Sequence, residues 1–432
     1  LLLGALPASA VAAPLSLEEA IRSAWKTNLG IASSGSMVTA ARTDAQVARD
    51  NGLPSLILSA NGILTNEPVA AFGLKLDEQR ITAADFAPAR LSSPDVVGGV
   101  GVGATIVQPI YMGGRLSAGA RAAATQADAE ARQHDRRRQE LAFQVAQAYF
   151  GAQVAAEGVR YADDLLAQAR ATETFTKARN QQGLALDADV ARATAFRAQA
   201  EADTVSAGER LASTRALLVL LAGRVALAAD LTTPVQTEAH PSARVPAPSS
   251  AALGQRPDLE SARMRAEAAR EMVKVARASS RPEIMAQASV ETLRPALDQG
   301  ATWFTVGVFA RWKLCLSDWR AAQAAESRAS AASEAQAWQE EQAHHEVEEA
   351  RRSLQTSEAK LISAQEAVSA SESARGLRIQ RHRQGLLQLT DVLDAEAALA
   401  GARALLLRTQ YDVRIAAAEL QLALGQPIEG VN

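Results

Sequence analysis

The chain has 432 residues, 48% hydrophobic and 22% charged, with only 4% aromatic. Its formal net charge of −3 argues against non-specific nucleic-acid binding. A single cysteine, Cys315, leaves no intramolecular disulfide and no cysteine-rich metal site.

Residues 1–14 read LLLGALPASAVAAP, an apolar run closing on small residues. This pattern resembles the apolar core and cleavage site of a secretory signal, so residues 1–13 are read as its remnant, cut after Ala13. A first structural repeat is expected over 14–231. Ser16 with Glu19 is a capping box, predicting one helix from Leu17 to about Asp50. A β-hairpin is expected over 55–108, its strands at 55–64 and 96–108. In the second strand Val100, Val102, Ala104 and Ile106 alternate with Gly101, Gly103 and Thr105, a period of two.

No proline lies between Pro109 and Pro234, or between Pro295 and Pro427. Proline in a helix interior costs about 3 kcal/mol. These alanine-, glutamate- and arginine-rich tracts are therefore read as helices over 115–181, 186–222, 320–383 and 388–423. At 1.5 Å per residue the first would be about 100 Å long. The stretch 232–252, rich in Pro, Ser, Thr and Ala, is a linker. A second repeat follows over 253–426, with a helix at 253–279, a β-hairpin at 284–314 and a tail at 427–432. On its last strand Phe304, Val306, Val308, Ala310 and Trp312 share a face opposite Thr305, Gly307 and Arg311.

The two repeats are copies. ARTDAQVARDNGLP (41–54) aligns with AREMVKVARASSRP (269–282) at offset 228. QGLALDADV (182–190) aligns with QGLLQLTDV (384–392) at offset 202. The difference places about 26 extra residues in the first copy, mostly between Gly62 and Val97.

Enzyme readings fail on context. GGVGVG (98–103) lies inside alternating strand text with no helix directly after it, unlike a dinucleotide loop. His344-His345-Glu346 lacks the second histidine of a zinc helix. No cofactor and no metal is expected. A rod-like coiled coil without transport activity would explain the helices but not four strands with an unpartnered apolar face. Such strands fit a barrel shared by several copies, one face on lipid. Trp303, Trp312 and Trp319 are then candidates for the membrane interface.

QPIYMGGR (108–115), QRPDLESAR (255–263), QGLLQLTDVLDAEAAL (384–399) and YDVRIAAAELQLALG (411–425) together resemble the TolC family of outer-membrane factors. The resemblance implies a mainly α fold with a small β part. Long helical hairpins would form a trimeric periplasmic α-barrel, and four strands per protomer a shared 12-stranded transmembrane β-barrel. It also implies a homotrimer in the outer membrane, working with a periplasmic adaptor protein and an inner-membrane transporter of RND, ABC or MFS type. Efflux and type I secretion are both served by this architecture.

On this resemblance Gln182, Gly183, Leu184, Gln384, Gly385 and Leu386 form tip turns that dock the adaptor. Asp391 and Asp394, three apart on one helix face, would ring the entrance as six carboxylates and attract cations. Asp189 and His382 would belong to the network that closes it. His382 and Leu387 stand where the family pattern has a tyrosine and an arginine, so one charged link is absent. Pro109, Gly113 and Gly114 mark the first strand-to-helix junction, and Asp318 is expected to cap the helix at the second.

Overall fold

The computed structural model describes residues 14–227, 229–235, 255–296 and 299–428. The signal remnant 1–13, the linker from 236 onward and the last four residues of the tail lie outside the described residues. The chain divides into two units. Unit 1 is formed by residues 1–38, 130–262 and 336–432, and unit 2 by residues 39–129 and 263–335.

The first copy opens with β1 (Pro14–Leu15) and α1 (Leu17–Thr27). The Ser16 hydroxyl accepts from the Glu19 amide at 3.2 Å, and the Glu19 carboxylate accepts from the Ser16 amide at 3.0 Å. The single helix expected here is two. Asn28 is extended, and its side-chain oxygen accepts from the Gly30 amide at 2.8 Å, so it starts a new helix, α2 (Leu29–Asp50).

Next come β2 (Ser55–Thr65), α3 (Pro68–Asp77), a 3-10 turn (Ala83–Phe86), α4 (Pro88–Ser92) and β3 (Val97–Met112). Pro68 and Pro88 each sit at the start of a helix, where a missing N–H costs nothing. The long helix α5 (Arg115–Gln181) and the return helix α6 (Asp187–Ala222) follow, then β4 (Asp230–Leu231). The second copy contains α7 (Pro257–Ala278), β5 (Glu283–Ala296), β6 (Gln299–Arg311), α8 (Leu316–Arg383) and α9 (Leu389–Ala423). Helices α2 and α7 have 22 residues each.

In unit 2 the strands form one antiparallel sheet in the order β2-β3-β5-β6. Among the described residues, β2 and β6 each keep one unpaired edge. Strand β6 ends at Arg311 rather than at 314. Its last partner is Glu283, the first residue of β5, so β5 offers nothing for residues beyond Arg311 to pair with.

The two faces of this sheet differ sharply. On one face Phe304, Val306 and Val308 are 77%, 73% and 67% exposed. On the other, Ser59, Gly103, Glu291 and Trp303 form one cross-strand row. There α3 packs Ala71 and Leu74 against Val97, Leu293 and Trp303. Trp303 is therefore not on the face that carries Phe304. Alternation turns it inward under α3, which removes it from the proposed interface aromatics.

In unit 1 two cores hold the helices. The first joins Leu17, Ile21, Val145, Tyr149 and Leu218. The Tyr149 hydroxyl donates to the Leu15 carbonyl at 2.6 Å and accepts from the Thr233 amide at 2.9 Å. It thereby fixes the parallel β1–β4 pair. The second core joins Leu259, Val347, Leu361 and Leu420. At its edge lies Arg256, whose side chain is buried. Its guanidinium bonds both oxygens of Asp258 at 3.1 and 2.7 Å, Glu346 at 2.9 Å and the Ala423 carbonyl at 2.9 Å.

Candidate functional site

The two interhelical turns of unit 1 are built alike. Gly183 has φ 71° and Gly385 has φ 76°, the left-handed region where a side chain is strained. Behind each glycine a backbone bond closes the turn, Leu184 N–H to Arg179 O at 2.9 Å and Leu386 N–H to Arg381 O at 3.0 Å. A side chain then crosses each turn. The Asn180 amide donates to the Ala185 carbonyl at 2.9 Å. The His382 Nδ1–H donates to the Leu387 carbonyl at 2.8 Å. Asn180 and His382 are matching positions in the two copies.

Each return helix then carries an aspartate as its third residue. Asp189 accepts from the Leu186 amide at 3.3 Å, and Asp391 from the Gln388 amide at 3.1 Å. Within the chain, Asp189 and His382 thus each serve their own turn. Asp394 is exposed, one turn further along α9 than Asp391. Gln182, Leu184, Gln384 and Leu386 are all exposed, so each tip presents a glutamine and a leucine on either side of its glycine.

Three turns before Gly183, Glu173 is buried between the helices of the first hairpin. It accepts from Lys177 at 2.8 Å and Thr194 at 2.8 Å, with Arg197 3.0 Å away. The Lys177 and Thr194 donors, with the charges of Lys177 and Arg197, hold its carboxyl below the ordinary range against the effect of burial.

In unit 2, β3 carries a bulge between Pro109 and Tyr111. The chain then turns into α5 through Gly113 and Gly114, with φ 65° and 89°. Arg281 secures the turn by donating to the Gly113 carbonyl at 3.0 Å. The second junction differs from expectation. Helix α8 begins at Leu316, so Asp318 lies inside its first turn rather than at the cap. Its amide donates to the Cys315 carbonyl at 3.1 Å, and its charge faces the helix N-terminus. Trp312 and Trp319 are exposed, and the Trp312 indole donates to the Ser280 carbonyl at 3.0 Å.

Among the described residues no group of three or more His, Cys, Asp or Glu side chains is arranged to hold a metal ion. No helix among them is long and apolar enough to cross a membrane. Sequence reasoning missed Asn180 and the buried Arg256. Asn180 was available from its 202-residue offset to His382, and Arg256 from its place in QRPDLESAR.

Residues 20–224 and 249–426 match the profile of a family described as outer membrane efflux protein. Solved structures share the fold. The CmeC outer membrane channel of Campylobacter jejuni superposes with a TM-score of 0.84 at 17% identity, over 96% of this chain and 87% of that one. A membrane protein from Pseudomonas aeruginosa gives 0.83 at 21% identity, over 95% and 93%. The outer membrane protein VceC of Vibrio cholerae gives 0.80 at 21% identity, over 96% and 97%. No curated protein sequence matches the chain.

Proposed function

Because this chain belongs to the outer membrane efflux protein family, we propose that three copies assemble into a passive channel-tunnel through the outer membrane. The sheet of unit 2 carries this reading. Its two outer strands have unpaired edges among the described residues, and one face exposes Phe304, Val306 and Val308 to the surroundings. Lipid tolerates such a face only if every strand edge is paired, which requires a closed barrel. Four strands do not close, whereas three copies supply twelve. Exposed Trp312, just past the last strand, and exposed Trp319, in the first turn of α8, are the tryptophans this reading assigns to the membrane interface.

The helical hairpins continue the conduit into the periplasm. The tip turns at Gly183 and Gly385 meet an adaptor protein, which links the channel to an inner-membrane transporter. Asp391 and Asp394 line the entrance in two stacked rings. Asp394 supplies the freer carboxylate, because Asp391 is partly engaged at its helix start. The same conduit serves efflux or type I secretion, depending on the transporter.

The test is single-channel recording of detergent-purified protein, with its mass measured by light scattering. A trimer with a small, stable conductance blocked from one side by a trivalent cation is expected. A protein that is monodisperse without detergent and never conducts would overturn the reading in favour of a structural coiled coil.

A further inference from the structure

In unit 1, α5, α6 and α9 line an open cleft of about 610 Å³. The gap has a local cause. Gly158 and Ala162 on α5, Ala207 on α6, and Ala400 and Ala404 on α9 all face it. Small residues four apart share one face of a helix, so the three helices meet without filling the space between them. The remaining wall is apolar, with Leu165, Leu399 and Leu407 beside the half-buried rings of Tyr161 and Tyr411. Such a volume and lining suit a small molecule with an apolar body. Two aromatic rings favour a flat, rigid body over a flexible chain.

The polar groups at the cleft select the sign of the charge. Its two acids are engaged: Asp203 accepts from Gln199 at 2.9 Å, and Glu396 pairs with Arg375 at 2.7 Å. Of its three arginines, Arg403 pairs with Glu372 at 2.9 Å and lies over the Tyr161 ring, 5.3 Å from its centroid. Arg408 reaches Asp412 only at 4.0 Å. Arg210 on α6 is exposed, and among the described residues its guanidinium has no hydrogen-bond or ion-pair partner. The Tyr161 and Tyr411 hydroxyls also bond no protein group among them. Burial, with the nearby charge of Asp412, pushes the Tyr411 hydroxyl up, so it remains a neutral donor. Cation and donors are therefore uncommitted at this cleft, and its acids are not.

We propose that this cleft binds an amphipathic organic anion with a rigid ring body. The rings lie against Leu165, Leu399 and Leu407, and the carboxylate or sulfonate sits on Arg210, with Arg408 beside it. The 202-residue offset puts Lys360 and Asp412 at the places of Gly158 and Arg210. The other copy thus lacks both the small residue and the cation, so the site belongs to one hairpin. It does not depend on the conduit reading above.

The experiment is calorimetric titration of the full chain in detergent with pyrene-1-sulfonate, against a protein-free blank of the same detergent. Saturable binding, one sulfonate per chain, is expected. Arg210→Glu should weaken it about ten-fold or more, and Arg210→Lys much less. Gly158→Leu, which fills the cleft without touching a charge, should abolish it. Pyrene-1-methylammonium, the matched cation, and decanoate, a flexible anion, should each bind about ten-fold more weakly or worse. No saturable binding to wild type, or equal binding to wild type, Arg210→Glu and Gly158→Leu, would overturn the site. Equal binding of the cation would overturn the charge selection, and equal binding of decanoate the rigid body. Arg210 is exposed, so Arg210→Glu decides even if Gly158→Leu fails to fold.

Discussion

The two copies within the chain use the same backbone and different side chains. Both tip turns place a glycine at positive φ and secure the return helix with an aspartate in its first turn. Both cross the turn with a side-chain donor, but one is Asn180 and the other His382. Between the helices, Arg375 pairs with Glu396 in the second hairpin, whereas Glu173 accepts from Thr194 at the matching positions of the first. At the start of α2 Asn28 caps a helix, whereas the matching Arg256 before α7 reaches Asp258, Glu346 and Ala423. Duplication has kept what the backbone requires, and has left free what only has to be paired. Differences between the copies are therefore the places to look for tasks that belong to one hairpin alone.

The largest effect is expected where the second copy has buried a charge and the first has not. Arg256→Met leaves the Asp258 carboxylate buried without its partner and the Ala423 carbonyl without its donor. Loss of one member of such a pair typically costs about 3–5 kcal/mol. Thermal unfolding should show it, and Asn28→Ala should cost only about 1 kcal/mol, as for a lost cap. The same pair predicts acid sensitivity. Burial pushes the Asp258 carboxyl up, but bonds from Arg256 and the charges of Arg136 and Arg256 outweigh it and hold it below its ordinary value. Its contribution to stability is complete above the ordinary carboxylate range and is lost as pH falls through the lowered value. Arg256→Met should flatten that acid limb of the melting profile.

A medium effect is expected at the glycines, and there the copies should agree. A Cβ added at Gly183 or Gly385 would meet no other atom within 4 Å, so alanine meets only backbone strain. That strain is roughly 1–2 kcal/mol. Gly183→Ala and Gly385→Ala should lower the melting temperature of the isolated channel equally. Unequal shifts would show that one tip carries contacts in the trimer that the other lacks.

The regular parts of this architecture were legible because they follow from exclusion and period. Proline-free alanine-rich tracts locate α5, α6, α8 and α9, and the alternation at 304–310 locates the exposed apolar face. The internal offset even aligns the turns. What escaped depends on contacts distant in sequence. Nothing around Trp303 tells that α3 folds back over it, because strand alternation gives two faces without saying which is covered. The break at Asn28 is a local cap inside helix-favouring text. Arg256 stands in a motif that can be seen, but its partners Glu346 and Ala423 are 90 and 167 residues away. The contact between Arg375 and Gln168 is invisible for the same reason, since the two lie 207 residues apart.

A smaller effect is expected at the turn-crossing donors. His382→Asn should be close to neutral, because asparagine already does this work at position 180 in the other copy. His382→Ala removes one hydrogen bond, worth about 0.5–1.5 kcal/mol. If His382→Asn were as damaging as alanine in the assembled trimer, the free Nε2 of the imidazole would have a partner in a neighbouring copy.

The smallest effect on stability separates structure from conduction. Asp189 and Asp391 each accept from the amide of the residue just before their helix, so alanine at either should cost about 0.5–1 kcal/mol. Asp394 is exposed and has no such duty within the chain, and Asp394→Ala should leave the melting temperature unchanged within error. In planar bilayers the ranking should reverse. On the proposed assembly, Asp394→Ala removes a ring of charge from the entrance and should reduce the preference for cations. Asp189→Ala, in the copy without a second aspartate three residues on, should leave selectivity alone. Reversal potentials measured across a salt gradient decide the matter. If Asp189→Ala and Asp394→Ala shift them equally, the two hairpins contribute equally to the field at the entrance, and the functional asymmetry between the copies is lost. If only Asp394→Ala shifts them, the capping aspartates are scaffold and the charge that faces the cargo belongs to the second copy.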